Sequence, residues 1–117
     1  MKKVYYLATC STCIRILKEL DSELTDFKLQ DIKTEKISAT QIDQMKSLSG
    51  TFESLFSRRA MKYKSLGLAS KQLHEADYRG LILDEYTFLK RPVFIIEDKI
   101  FIGNSLKIVE AVRAELS

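Results

Sequence analysis

Tryptophan is absent from this chain, histidine and proline occur once each, cysteine twice and glycine four times in 117 residues. So little proline and glycine excludes a collagen-like repeat and a long flexible linker. A single histidine, His74, and two cysteines supply too few nitrogen and sulfur ligands for a closed zinc site, so no metal is expected. Uninterrupted apolar runs are short, such as Val93-Phe94-Ile95-Ile96, and none could cross a bilayer as a helix. A strong excess of one charge is missing too. Lys and Arg number 19 against 16 Asp and Glu, a formal +3, which is too slight to argue for direct nucleic-acid binding. There is no internal repeat, no low-complexity segment and no glycine-rich nucleotide loop, so no tightly bound organic cofactor is implied.

What is present suits one soluble domain spanning 1–117. Hydrophobic residues make up 45% and charged residues 30% of the chain, enough for a core of ordinary size. Met1-Lys2-Lys3 followed by Val4 to Ala8 has the charge order of a secretion signal. Its apolar stretch is only about five residues, however, short of the 7–15 that a signal core needs. Val4 to Ala8 therefore reads as a buried strand and the protein as cytoplasmic, a compartment in which cysteines are ordinarily reduced.

After that strand, Ile14, Leu17, Leu20 and Leu24 recur at helical spacing with Arg15, Lys18 and Glu19 between them, an amphipathic helix. Asp26 to Ile32 alternates polar and apolar residues and predicts a second strand. Ser38 or Thr40 can cap a helix carrying Ile42, Met45 and Leu48 and ending at Gly50. A helical turn over Thr51–Phe56, a short helix capped by Ser70 and a longer one from about Glu75 to Leu89 follow. Pro92 closes that region. Val93–Ile96 and Ile100–Ile102 read as strands joined across Glu97-Asp98-Lys99, and Asn104 or Ser105 caps a final helix bearing Leu106, Val109, Val112 and Leu116. The opening strand–helix–strand gives a parallel pair and the late hairpin an antiparallel one. The sum is an α/β fold: a mixed four-stranded sheet with flanking helices and a helical insert over about residues 38–90.

Cys10-Ser11-Thr12-Cys13 falls between the first strand and the first helix. A sulfur there faces unpaired backbone N–H groups and the positive end of the helix dipole, which favour thiolate over thiol. Cys10 is the candidate nucleophile. Cys13, one turn on, is either the resolving thiol that closes a disulfide with Cys10 or a small buried residue of the helix. Ser11 and Thr12 can cap the helix or donate to a bound anion. Lys90-Arg91-Pro92 leads into the third strand. Proline tolerates either peptide isomer, and a cis bond would bring Arg91 near the cysteine loop, where its planar fork could hold an oxyanion or stabilise a thiolate. Ser57-Arg58-Arg59, with Lys62 and Lys64, reads by charge alone as a solvated basic face.

Taken together, Cys10-Ser11-Thr12-Cys13, Phe56-Ser57-Arg58-Arg59 leading to Tyr63-Lys64-Ser65-Leu66-Gly67-Leu68, Leu89-Lys90-Arg91-Pro92-Val93 and Ile102-Gly103-Asn104 resemble the arsenate reductase (ArsC)/Spx family over essentially the whole chain. The resemblance implies a thioredoxin-like fold with a helical insert. On its reductase side it implies that Cys10 attacks an oxyanion such as arsenate, or a disulfide. Arg91 and either Arg58 or Arg59 would bind the anion, and an external thiol reductant such as glutathione with glutaredoxin, or thioredoxin, would complete the cycle. A further arginine of the best-known reductases falls at about Gly103 here. On its regulatory side the resemblance implies a Cys10–Cys13 redox switch and binding to the C-terminal domain of the RNA polymerase α subunit near Gly50.

Overall fold

The computed structural model describes residues 1–117 and divides them into two compact units, 1–35 with 91–117 and, between these, 36–90. The first unit is built on a four-stranded sheet: β1 (Lys2–Tyr6), β2 (Lys28–Asp31), β3 (Val93–Ile96) and β4 (Lys99–Ile102), in the order β2-β1-β3-β4. β1 runs parallel to β2, with Tyr5 opposite Gln30 and Tyr6 opposite Asp31, and antiparallel to β3, which is antiparallel to β4. This is the mixed sheet that the element order predicts.

Two helices flank it, α1 (Ser11–Glu19) and, at the chain's end, α5 (Leu106–Leu116). Ile16 and Leu20 from the α1 segment and Val109 and Val112 of α5 close one core with Val4, Phe94 and Ile96 of the sheet. Every residue of β3 is buried, as expected for an unbroken apolar run in a central strand. Ser105 caps α5, its Oγ accepting from the Ile108 N–H at 3.2 Å. The hairpin turns through Glu97, whose φ of +56° is left-handed.

The strand limits and one phase differ from the sequence reading. β1 covers Lys2–Tyr6 instead of Val4–Ala8, and α1 gives way after Glu19 to a 310 turn at Asp21–Glu23. In β2 the alternation is inverted: Leu29 is 53% exposed and Gln30 2%. β2 is an edge strand, and the core beneath α1 and α5 is completed by Val4, Phe94 and Ile96 without Leu29. Gln30 turns inward on Tyr5's side, and its Nε2 donates to the Glu35 carbonyl at 3.0 Å, satisfying a buried amide that would otherwise be costly.

The second unit is helical: α2 (Ala39–Ser49), α3 (Met61–Ser65) and α4 (Glu75–Asp84), with 310 turns at Glu53–Leu55, Leu68–Ser70 and Tyr86–Phe88. Ser38 and Gln41 form a capping box on α2, Ser38 Oγ accepting from the Gln41 N–H at 3.1 Å. Helix α3 is not signalled by hydrophobic periodicity, because none of its residues is buried. Ser70 ends a 310 turn instead of opening a helix. The residue at the N-cap of α4 is His74, whose N–H donates to the Asp77 carboxylate at 2.8 Å.

Helix α4 stops at Asp84, well before Leu89. The chain extends at Glu85 so that Phe88 and Leu89 can both be buried. Ser57 N–H then donates to the Phe88 carbonyl at 2.6 Å and Lys90 N–H to that of Leu55 at 2.8 Å. An unbroken helix would have pointed Phe88 and Leu89 along different directions and offered no such pairing. Phe56 anchors this unit. It stacks on Phe88 at 5.0 Å and packs against Tyr78 at 4.9 Å and Tyr63 at 6.0 Å.

Candidate active site

Cys10 occupies the N-cap of α1 in extended backbone, φ −94° and ψ 110°. Its own N–H turns back to the Leu7 carbonyl at 3.0 Å, and its carbonyl accepts from the Ile14 N–H at 3.1 Å. The amides of Ser11, Thr12 and Cys13 have no acceptor within the helix, that of Cys13 acts on the sulfur, and no acidic residue stands in the first turn to compete for them. Ser11 is exposed and Thr12 half-buried. Cys10 is partly exposed and Cys13 fully buried, and both are free thiols.

Burial pushes the Cys10 thiol up, but the Cys13 N–H and thiol and the charge and hydrogen bond of Arg91 outweigh it, so Cys10 lies below the ordinary value of 9.0. The cysteine makes no hydrogen bond of full cap geometry. Its stabilisation is the sum of these weaker contacts, among which the guanidinium supplies a full charge. Cys13 goes the opposite way. Burial, with the neighbouring Cys10, carries its thiol up to about 11, so it is a neutral hydrogen donor at ordinary pH. One motif therefore holds an ionisable sulfur beside a protonated one.

Arg91 is half-buried just ahead of β3, and its peptide bond to Pro92 is cis, the isomer that the sequence left open. The Pro92 carbonyl accepts from the Gly103 N–H at 3.0 Å, at the far end of the β3–β4 hairpin. Gly103 has a φ of +108°. On the other side of the cysteine loop, Asp31 Oδ1 accepts from the Ala8 N–H at 3.4 Å and the Lys33 N–H at 3.2 Å. No sequence signal marks Asp31, since a carboxylate after a strand is ordinary turn chemistry.

Among the sequence candidates, Cys10, Cys13, Ser11, Thr12, Arg91 and Pro92 lie in the first unit, where Arg91 meets the Cys10 sulfur. Arg58 and Arg59 belong to the second. Arg58 is not a plain solvated cation: its Nη2 donates to Glu53 at 2.8 Å and to the Tyr78 hydroxyl at 3.0 Å, and the guanidinium lies 5.8 Å from the Tyr78 ring centre. Glu53's hydrogen bond also raises the Arg58 pKa. Arg59 is exposed and in no ion pair. Gly50 ends α2 with a φ of +99°, its N–H donating to the Lys46 carbonyl, which accounts for a glycine there. His74 serves α4, and no group of three or more His, Cys, Asp and Glu side chains is arranged to hold a metal. No helix is long and apolar enough to cross a membrane.

A model of the ArsC family matches residues 5–112. No curated protein matches the chain. Among solved structures, a possible arsenate reductase from Streptococcus mutans is 29% identical, with 97% of this chain and 98% of that one covered and a TM-score of 0.77. The YFFB protein is 20% identical over the whole of both chains, with a TM-score of 0.84. An arsenate reductase (ArsC) related protein from Brucella melitensis is 24% identical over 94% of this chain and 92% of that one, with a TM-score of 0.73. The fold is the thioredoxin-like one that these structures share.

Proposed function

The chain belongs to the ArsC family, and on that premise we propose that it is a thiol-disulfide oxidoreductase of arsenate-reductase-like type. One observation carries the reading: Cys10 is the N-cap residue of α1, and the Cys13 N–H and thiol and the Arg91 guanidinium all act on its sulfur to favour the thiolate. The helix end contributes about half a positive charge and Arg91 a full one, so the site favours a thiolate and can receive an anion beside it.

In the proposed cycle the Cys10 thiolate attacks the electrophilic atom. With a disulfide substrate, a Cys10 mixed disulfide forms and the first thiolate leaves, taking up a proton. Cys13 gives up its proton and attacks the Cys10 sulfur, which forms the Cys10–Cys13 disulfide and releases the second thiol. With arsenate, Cys10 displaces an oxygen that departs as water. Attack by Cys13 then breaks the sulfur–arsenic bond, and its electron pair stays on arsenic as arsenite. Either route ends in the same disulfide, and an external thiol reductant returns the two electrons. Ser11 and Thr12 donate from the first turn to the bound anion, and Arg91 holds its charge.

Turnover of a small disulfide and of arsenate, each with glutathione and glutaredoxin or with a thioredoxin system, tests this. Cys10→Ser should lose all activity above background, and Arg91→Ala should lose about ten- to a hundredfold, the scale of a charge-assisted contact in a partly dry site. If neither substrate is turned over with any reductant while Cys10 alkylates like an ordinary thiol, the assignment fails.

A further inference from the structure

Arg91 meets the Cys10 sulfur from a segment with no long element beneath it: β3 begins only at Val93. What fixes that segment from the opposite strand is the 3.0 Å hydrogen bond from the Gly103 N–H to the Pro92 carbonyl, one residue past the ladder pair Val93–Ile102. Gly103 makes this contact at a φ of +108°, a backbone region that side chains disfavour. Nothing lies within 4 Å of where its Cβ would be. The glycine is therefore required by the direction of its backbone and not by lack of space.

We propose that Gly103 is a positioning residue for Arg91: its positive φ lets the chain turn away directly after the amide that holds the Pro92 carbonyl, and so keeps that contact and the guanidinium against the Cys10 sulfur. This rests on the reading of Cys10 as the nucleophile. The charged and titratable groups acting on that sulfur are Cys13 from α1 and Arg91 from the segment before β3. A carboxylate at the loop, Asp31 at the end of β2, accepts from the Ala8 and Lys33 amides. Any loosening of Arg91 should therefore be read directly in how readily Cys10 ionises.

The experiment is the pH profile of Cys10 alkylation by iodoacetamide, assigned by peptide mapping, in the full chain. The set is wild type, Arg91→Ala, Gly103→Ala, Gly103→Asn and the double variant Arg91→Ala with Gly103→Ala. Arg91→Ala should move the midpoint up. Gly103→Ala should move it the same way, with the rate below the midpoint falling about threefold or more, where a tenfold fall corresponds to one pH unit. Asparagine enters left-handed backbone more readily than alanine, so Gly103→Asn should recover part of the loss, and it serves as the readout if the alanine variant does not fold. On the Arg91→Ala background, Gly103→Ala should add nothing. A lowered melting temperature with an unmoved Cys10 midpoint, or the same shift with and without Arg91, overturns the proposal. If Arg91→Ala itself leaves the midpoint in place, it is the parent reading of the anion site that fails, and the role of Gly103 falls with it.

Discussion

Cys10 and Cys13 stand one helical turn apart, yet their surroundings send their thiols in opposite directions. Cys10 is at the helix mouth and feels the charge of Arg91 beside little burial, whereas Cys13 is sealed in the core, where burial and Cys10 outweigh the Leu7 amide and the charge of Arg91. That asymmetry sets an order for the chemistry. In the proposed cycle the outer sulfur attacks first, and the inner one would act only after losing a proton that burial holds on to. Cys13→Ser should leave the first step intact and trap Cys10 as a mixed disulfide with glutathione, visible as an intact-mass increase. A variant that instead turns over at the wild-type rate with a disulfide substrate would show that Cys13 is only a packing residue. The arginines divide in the same way. Arg91 meets a sulfur, whereas Arg58 is held by Glu53 and Tyr78. Sequence pattern registers a basic run but not which member has a carboxylate beside it.

At the scale of elements, local chemistry accounts for most of the boundaries. The α2 capping box and the Ser105 cap of α5 are both visible as residue types before an apolar periodic run. Ser38→Ala should cost about 1 kcal/mol, the usual worth of such a cap. The check is a urea-denaturation midpoint that falls with unchanged slope; an unmoved midpoint would mean that packing alone holds α2. Two readings failed where tertiary demand overrode the local one. The β2 alternation predicted Leu29 inward, but an edge strand with its core already closed turned it out and took Gln30 in. The helix from Glu75 toward Leu89 broke at Glu85, where the chain instead buries Phe88 on Phe56 and pairs with the 55–57 segment, contacts that a continued helix could not make.

For the molecule as a whole, two buried acids should govern its behaviour in alkali. The Cys13 thiol rises from 9.0 to about 11, chiefly through burial, and the Tyr5 phenol from 10.0 to about 12, through burial and then the charge of Glu35. Both pKa values are raised in the folded state, so the fold favours the neutral forms. Their stabilising effect is complete below pH 9 and is lost as pH climbs through 11 and 12. Cys10 has the opposite sign: its contribution is present above its unfolded value and lost as pH falls through its lowered folded one. The urea midpoint of the reduced protein should therefore fall from pH 9 upward, and Cys13→Ser should delay the onset of that fall toward the Tyr5 range. A flat midpoint between pH 9 and 11 in the wild type would contradict the burial of Cys13.

The sequence by itself determined the element order, the mixed sheet, the placing of Cys10-Ser11-Thr12-Cys13 at a strand-to-helix turn and the family resemblance. Each of these is carried by near neighbours along the chain: apolar spacing, caps, turn residues and motif order. Only the tertiary structure decided that Arg91 meets the Cys10 sulfur, that Arg58 is engaged by Glu53 and Tyr78, and that Leu29 faces out while Gln30 faces in. Those outcomes depend on groups far apart in sequence competing for the same space and charge, and a pattern of spacings holds no record of that competition.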